Sequence, residues 1–261
     1  MADGARLAYL QARLQARHGD RPSPEEWRLA EASADLSHYL EALRRTPLKR
    51  WLGDINHELP PEALERQFRA AWRHAVDEVA AWAPDDWREA IEWLRWLPEL
   101  PVMDHLLRGG AIPPWLRADP ALKDIAYEEP QRRLEAIEEH PLGPVLGTVP
   151  RTGTPQVAQH WLDEWRRRLP RSACGEDGEL ESMVRRVQAH LEAMRASPEP
   201  DGRALRSALA GHHVRNFRRH AGTMIAALSH LVLDGLELER VRAGVMARRL
   251  LPERPEGRTW A

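Results

Sequence analysis

Twelve histidines are the residues of this chain best suited to chemistry. The densest group is His212-His213 with His220, and His213 and His220 fall two turns apart on one helix face. Neither has a ligand partner four residues away. The Glu-x-x-His spacing of di-iron helix bundles is absent, with Asp35-x-x-His38 and Asp54-x-x-His57 as the nearest approaches. His74/Glu78 and His160/Glu164 are pairs at i,i+4, a spacing that bridges neighbouring turns on a solvated helix face. The His212, His213 and His220 cluster is the one metalloenzyme reading the sequence offers.

Other chemistries find less support. Asp85-Asp86-Trp-Arg-Glu89 resembles the acidic metal-binding motif of isoprenoid enzymes, but a magnesium diphosphate site needs a second acidic cluster, and none is present. Helix capping explains the two aspartates. No glycine-rich loop precedes a Lys-Ser/Thr pair, and no serine sits in a nucleophile elbow. Cys174, the single cysteine, lies in the polar stretch Arg171-Ser-Ala-Cys-Gly-Glu-Asp-Gly without a nearby histidine. It reads as a tolerated free thiol in a reducing compartment.

The formal charge of -2 hides an asymmetry: Asp85 to Glu139 holds 13 acidic and 7 basic residues, while Arg203 to Ala261 holds 11 basic and 5 acidic. The two regions are suited to different partners, or to each other. Lys49 and Lys123 are the only lysines. Without a basic total or a recognition motif, nucleic acid is not an expected partner. The longest apolar stretch, Ala221 to Leu233, is interrupted by Ser229 and His230 and is too short to span a bilayer. With no secretory pattern at the N-terminus, the expectation is a cytoplasmic protein, peripheral to the membrane only through a complex. Of the eleven tryptophans, Trp72 and Trp93 fall on faces expected to be buried. Core packing is the first reading for the rest as well, with a partner surface as the alternative for Trp82, Trp87, Trp96 and Trp115.

The elements that position these residues are helices. Ala, Leu, Glu and Arg dominate, and strand-like alternation is almost absent, so the expected fold is all-α, with antiparallel helices stacked in two or three similar units. Leu7, Leu10 and Leu14 mark a first helix ending near His18-Gly19. Ser23, Pro24 and Glu26 form a capping box for a second, which runs on through Leu36, Tyr39, Leu40 and Leu43 to Thr46-Pro47. Pro60-Pro61 opens a long helix with Leu64, Phe68, Trp72, Ala75 and Val79 on its buried side, and Pro84 ends it. From Gly109 to Pro155 prolines allow only a short helix, near Gln131 to Glu139, and Pro141 to Thr154 reads as a packed irregular connector. Helices resume at Val157, Glu179 and Ala204. A final pair is expected, Met224 to Leu233 and Leu236 to Leu251, the latter with an apolar face beneath a row of arginines. The expected divisions are an N-terminal unit over 1–118, a Pro-rich connector with helices over 119–200, and a C-terminal unit over 201–261.

One pattern recurs. Glu99-Leu100 precedes Met103 and Leu107, and 138 residues later Glu237-Leu238 precedes Val241 and Val245. Ala90, Trp93 and Leu94 fall opposite Leu228, Leu231 and Val232 at the same offset, as a duplicated helical unit would leave them.

These residues resemble motifs of the C-type subunits of archaeal and bacterial A/V-type ATPases, equivalent to the d-type subunits of eukaryotic V-ATPases. That family opens on a Tyr-x-x-Ala-Arg helix, as at Tyr9, Ala12 and Arg13. A Leu-x-x-Thr element follows, as at Leu43 and Thr46 with Leu48 after it, and then a long helix led by Leu-Glu, as at Leu64-Glu65. Glu99, Met103, Leu106-Leu107 and Arg108 fit the spacing of the next motif, and Glu237, Arg240, Val241 and Arg242 resemble its second occurrence. Val102 and Arg240 stand where the family usually has Asn, and the chain is shorter than typical members. The similarity covers roughly Ala5 to Arg108 and Arg203 to Leu251.

The resemblance implies a funnel of similar helical domains on the cytoplasmic mouth of a membrane rotor ring, receiving the central stalk. Such a protein transmits torque during proton or sodium transport. It makes and breaks no bond and carries no cofactor or metal. In this frame Glu99 and Glu237 fix helix ends or neighbouring units, and Asp104, Arg108, Arg240 and Arg242 make polar contacts. Tyr9, Arg13, Thr46 and Glu65 are further family-motif positions. The alternative is an all-α scaffold or regulator that binds another protein through the Trp82 to Trp115 region.

Overall fold

The computed structural model describes residues 2–143, 156–171, 173, 177–196 and 202–251. All regular structure among them is helical, and the fold is all-α. None of these helices is long and apolar enough to cross a membrane. Cys174 and most of the Pro141 to Thr154 connector lie outside the described residues.

Packing divides the chain into one unit made of 1–85 with 171–261, and another made of 86–170. These borders differ from those drawn on the sequence, because the first and last helices of the chain share a core. The spine of the first unit is its last helix. Packed on that spine are α1 (Ala2–Gly19), α3 (Leu36–Arg44), α4 (Pro61–Trp82), the helix before it, α10 (Arg203–Arg219), and the short 3-10 turn Pro47–Trp51. The spine itself, α11, runs unbroken over Met224–Leu250, about 40 Å at 1.5 Å per residue. The final pair expected from sequence is therefore one helix. Its first two turns, Met224 to Leu231, are buried on every side, as suits a helix surrounded by others. Beyond Asp234 only one face is apolar, carrying Leu238, Val241 and Val245.

Local signals account for many boundaries. Ser23 Oγ accepts from the Glu26 amide (3.2 Å), while the Glu26 carboxylate accepts from the Ser23 amide (2.7 Å), completing the capping box of α2 (Pro24–Glu31). The continuous second helix expected from sequence is broken into α2 and α3. Asp35 caps α3 by accepting from the His38 amide at 2.9 Å. The carbonyls left by the break go to Arg248 on α11: Nε donates to Ser33 O (2.9 Å) and Nη2 to Glu31 O (3.0 Å). A 3-10 turn over Pro47–Trp51 follows, capped by Thr46, whose Oγ1 donates to Leu43 O at 2.8 Å and accepts from the Leu48 amide at 3.2 Å.

The second unit holds α5 (Asp85–Trp93), a 3-10 segment Leu94–Glu99, α6 (Leu100–Leu107), α7 (Pro130–Glu139) and α8 (Val157–Arg168). Two indoles tie α5 to α8: Trp93 Nε1 donates to Trp161 O (3.3 Å) and Trp165 Nε1 to Ala90 O (3.1 Å). The described part of the Pro-rich stretch is packed, with Leu116, Leu122, Ile125 and Leu142 buried. Buried Arg133 organises it by donating to three backbone carbonyls, those of Tyr127 (2.9 Å), Gly110 (3.0 Å) and Glu128 (3.2 Å). One arginine thus serves carbonyls that proline-interrupted backbone leaves without helical partners. The remaining described helix of the first unit, α9 (Asp177–Ala196), packs on α10.

The sequence echo is not an echo of local structure. Ala90 and Trp93 lie on α5, Leu94 opens a 3-10 segment, and Glu99 closes it ahead of α6. Leu228, Leu231, Val232 and Glu237 all lie within α11. What the two places share is an acid turned inward, Glu99 fully buried and Glu237 largely covered.

A close approach fixes the register of α11 on α3. The Tyr39 ring is fully buried beside Gly244, with the Arg248 guanidinium 3.9 Å from its centroid. A Cβ at position 244 would fall 2.7 Å from Tyr39 Cζ and 2.9 Å from Cε1. Gly244→Ala is expected to cost about 1–3 kcal/mol in denaturant unfolding, as overpacking does. The Tyr39 hydroxyl has no hydrogen-bond partner among the described residues. Tyr39→Phe alone should therefore cost little and, in the double variant, should recover part of the Gly244→Ala loss.

Candidate functional site

The polar residues of the first unit converge where α11 passes the C-terminal end of α1 and the Pro47–Trp51 turn. The apolar pattern of α11 admits Asp234 and, one turn later, Glu237 on its inward side. Asp234 is only 2% exposed and Glu237 is largely covered. Arg21 and Arg50 each bridge both acids. Arg21 donates to Asp234 at 2.5 Å and to Glu237 at 2.9 Å; Arg50 donates to Asp234 at 2.7 Å and to Glu237 at 2.9 Å. Trp51 Nε1 donates to Glu237 at 2.9 Å, and the Arg50 guanidinium lies 4.1 Å from the centroid of the same indole. The cluster joins α11 to the loop after α1 and to the turn after α3.

His230, buried one turn before Asp234, places Nε2 3.4 Å from its carboxylate. Burial and the arginines push its imidazole down to about 4, against the pull of Asp234. For Asp234 burial is the largest influence and favours the neutral form; the charges of His230, Arg21 and Arg50 together outweigh it and hold the carboxyl below its ordinary range. With His230 neutral at pH 7, the two guanidiniums keep Asp234 ionised.

Over this cluster opens a groove of about 380 Å³. Its floor is formed by Arg21, Arg50 and Glu237, and its walls by Arg17 and Asp20 from the end of α1 and by Arg44, Arg45, Thr46, Pro47 and Lys49 from the end of α3 and the turn.

The structure brings many of the motif residues into the first unit as connectors. Glu237 belongs to the cluster. Arg240 makes a two-pronged pair with Glu31 on α2 (2.6 and 2.8 Å) and lies 4.1 Å from the Trp27 centroid. Arg242 pairs with Glu65 on α4, with Nε–Oε2 at 2.8 Å and Nη2–Oε1 at 2.7 Å. Thr46 caps the turn beside the groove. Arg13 lies 5.0 Å from the Trp82 ring, and Tyr9 is exposed on α1. In the second unit Glu99 is fully buried, and Asp104 of α6 pairs with Arg108, the residue that caps its C-terminal end, at 2.8 Å. Sequence reasoning missed Arg21, Arg50, Trp51, His230 and Asp234. The available signal was Ser229, His230 and Asp234 within the apolar first half of α11.

Among the described residues no group of three metal-ligating side chains forms. His213 is fully buried, with Nδ1 3.4 Å from Ser229 Oγ, and burial beside His212 and Arg186 lowers its pKa to about 4. His220 Nε2 instead lies 3.9 Å from Glu179. Trp82 and Trp87, considered for a partner surface, are core residues, whereas Trp96 and Trp115 are half-buried. Comparisons with protein-family models, with curated proteins and with solved structures return no match.

The buried histidines make stability depend on acid. An unfolded chain binds protons at His230 and His213 near the ordinary pKa of about 6.5, whereas the native protein binds them only near 4. Their contribution is complete above about pH 6.5 and is lost as pH falls toward 4, about 3 kcal/mol for each histidine. Asp234, with its lowered pKa, adds a loss that begins only below the ordinary carboxylate range. Urea unfolding should give constant stability above pH 7 and a steep fall from pH 6.5 to 4.5. His230→Gln should flatten that fall; an unchanged slope would contradict the assignment.

Proposed function

We propose that the chain is a non-catalytic coupling component of a rotary A/V-type ATPase, of the archaeal C-type or eukaryotic d-type class. It would link the central stalk to the membrane rotor ring in proton or sodium transport, from the cytoplasmic side. The observation that carries this reading is the use to which the motif residues are put. Thr46, Glu65, Glu237, Arg240 and Arg242 cap a turn or pair between helices distant in sequence, binding α2, α4 and the Pro47–Trp51 turn to one long spine. Residues that stiffen a helical stack suit a part that carries load between partners.

The reading requires stable protein partners. Affinity purification of the tagged full chain from gently solubilised native membranes is expected to recover rotor-ring and central-stalk proteins together. Recovery of one unrelated soluble protein, with no ring or stalk component, would replace it with the scaffold reading.

A further inference from the structure

The groove over the Asp234 cluster holds more positive charge than its acids use, and we propose that it binds a compact multivalent phosphate anion, of the diphosphate or triphosphate class. This inference is independent of the coupling reading.

Glu237, one of the two acids on the lining, already accepts from Arg21, Arg50 and Trp51. Asp234 behind it takes a second bond from each arginine. The floor, with Asp234 behind it, is thus charge-balanced. The walls are not. Arg44 donates to the Ile55 carbonyl (2.5 Å), a contact that leaves its positive charge uncompensated. Exposed Lys49 has no acidic partner among the described residues. Arg45 and Arg17 pair with Glu41 and Glu78, but the first pair is well exposed and the second partly so. Exposed pairs are worth at most about 1 kcal/mol and yield readily to a multivalent anion. Asp20 is the remaining acid on the lining.

Arg50 adds pre-organised donors. Both of its carboxylate bonds run through Nη2, Nη1 and Nε have no acceptor among the described residues, and the guanidinium is held 4.1 Å from the Trp51 centroid. A guanidinium held in this way loses little further freedom on binding an oxyanion. The cations converge on one cavity of about 380 Å³, within the range for small ligands. Convergence on a small volume favours a compact anion with several charged oxygens over an extended acidic polypeptide. No aromatic residue lines the groove, and Arg50 lies against the nearest indole. The site should therefore recognise the phosphate chain and not a nucleoside base.

Isothermal titration calorimetry of the full chain with sodium tripolyphosphate at fixed ionic strength tests this. Saturable binding at one site is expected, accompanied by a rise in Tm. The Arg45→Glu/Lys49→Glu variant should bind about tenfold or more weakly. Both positions are exposed and lie outside the buried cluster, and a wild-type-like circular dichroism melt would establish that the variant is folded. Arg28→Glu, an exposed change off the groove, should bind as the wild type does. ATP should match tripolyphosphate within a few-fold. Absence of saturable binding, equal weakening by Arg28→Glu, or tighter binding of an oligoglutamate peptide would each overturn the proposal. ATP binding about tenfold tighter than tripolyphosphate would overturn recognition of the phosphate chain alone.

Discussion

A single carboxylate, that of Asp234, lies almost wholly out of water between two arginines from distant parts of the chain. Burying an ion is costly, and a buried pair is weak evidence of net stability. Its structural consequence is nevertheless strong. Once Asp234 is inside, both Arg21 and Arg50 must reach it, because loss of either leaves charge uncompensated in a poor solvent for charge. Glu237 one turn on gives each arginine a second acceptor, so the four side chains form a closed cluster whose members fix one another. The rotation of α11 about its axis and its height against α1 and the Pro47–Trp51 turn follow from that closure.

Beyond the cluster the same helix repeats the device with opposite sign. Arg240 and Arg242 pair with Glu31 and Glu65, Arg248 donates to the carbonyls of Glu31 and Ser33, and Arg249 Nε donates to Leu59 O at 3.1 Å. The row of arginines on the second half of α11 is therefore a set of ties to α2, α4 and the connecting loops. Gly244 supplies the close approach that lets Tyr39 sit beneath Arg248. The second unit contains a smaller version of this logic in Arg133, which serves three loop carbonyls.

How much of this was legible in the sequence depended on distance along the chain. The Ser23/Glu26 capping box, the start at Pro61 and the stop before Pro84 rest on contacts within one turn, and they were readable. The break between α2 and α3 was not, although Asp35 is an ordinary capping residue, because the freed carbonyls are taken by Arg248 more than 200 residues away. The same holds for α11. Read locally, Asp234-Gly235 divides two helices; folded, Asp234 is neutralised by residues 184 and 213 positions earlier, and the helix continues. Glu237, Arg240, Arg242 and Glu65 were singled out by motif, but their pairing was invisible without the fold. Asp234 itself was passed over because a lone acid in an apolar run gives no hint of its partners.

Asp234 and its two arginines lock α11 in place, and a double-mutant cycle on Asp234→Asn and Arg21→Gln, followed by urea unfolding at pH 7.5, tests this most directly. Asp234→Asn alone should lose about 3–5 kcal/mol, as expected when a buried pair loses one partner. The double variant should lose clearly less than the sum of the single losses, with a coupling of about 1–3 kcal/mol. Additive effects, or an Asp234→Asn protein as stable as the wild type, would contradict the account.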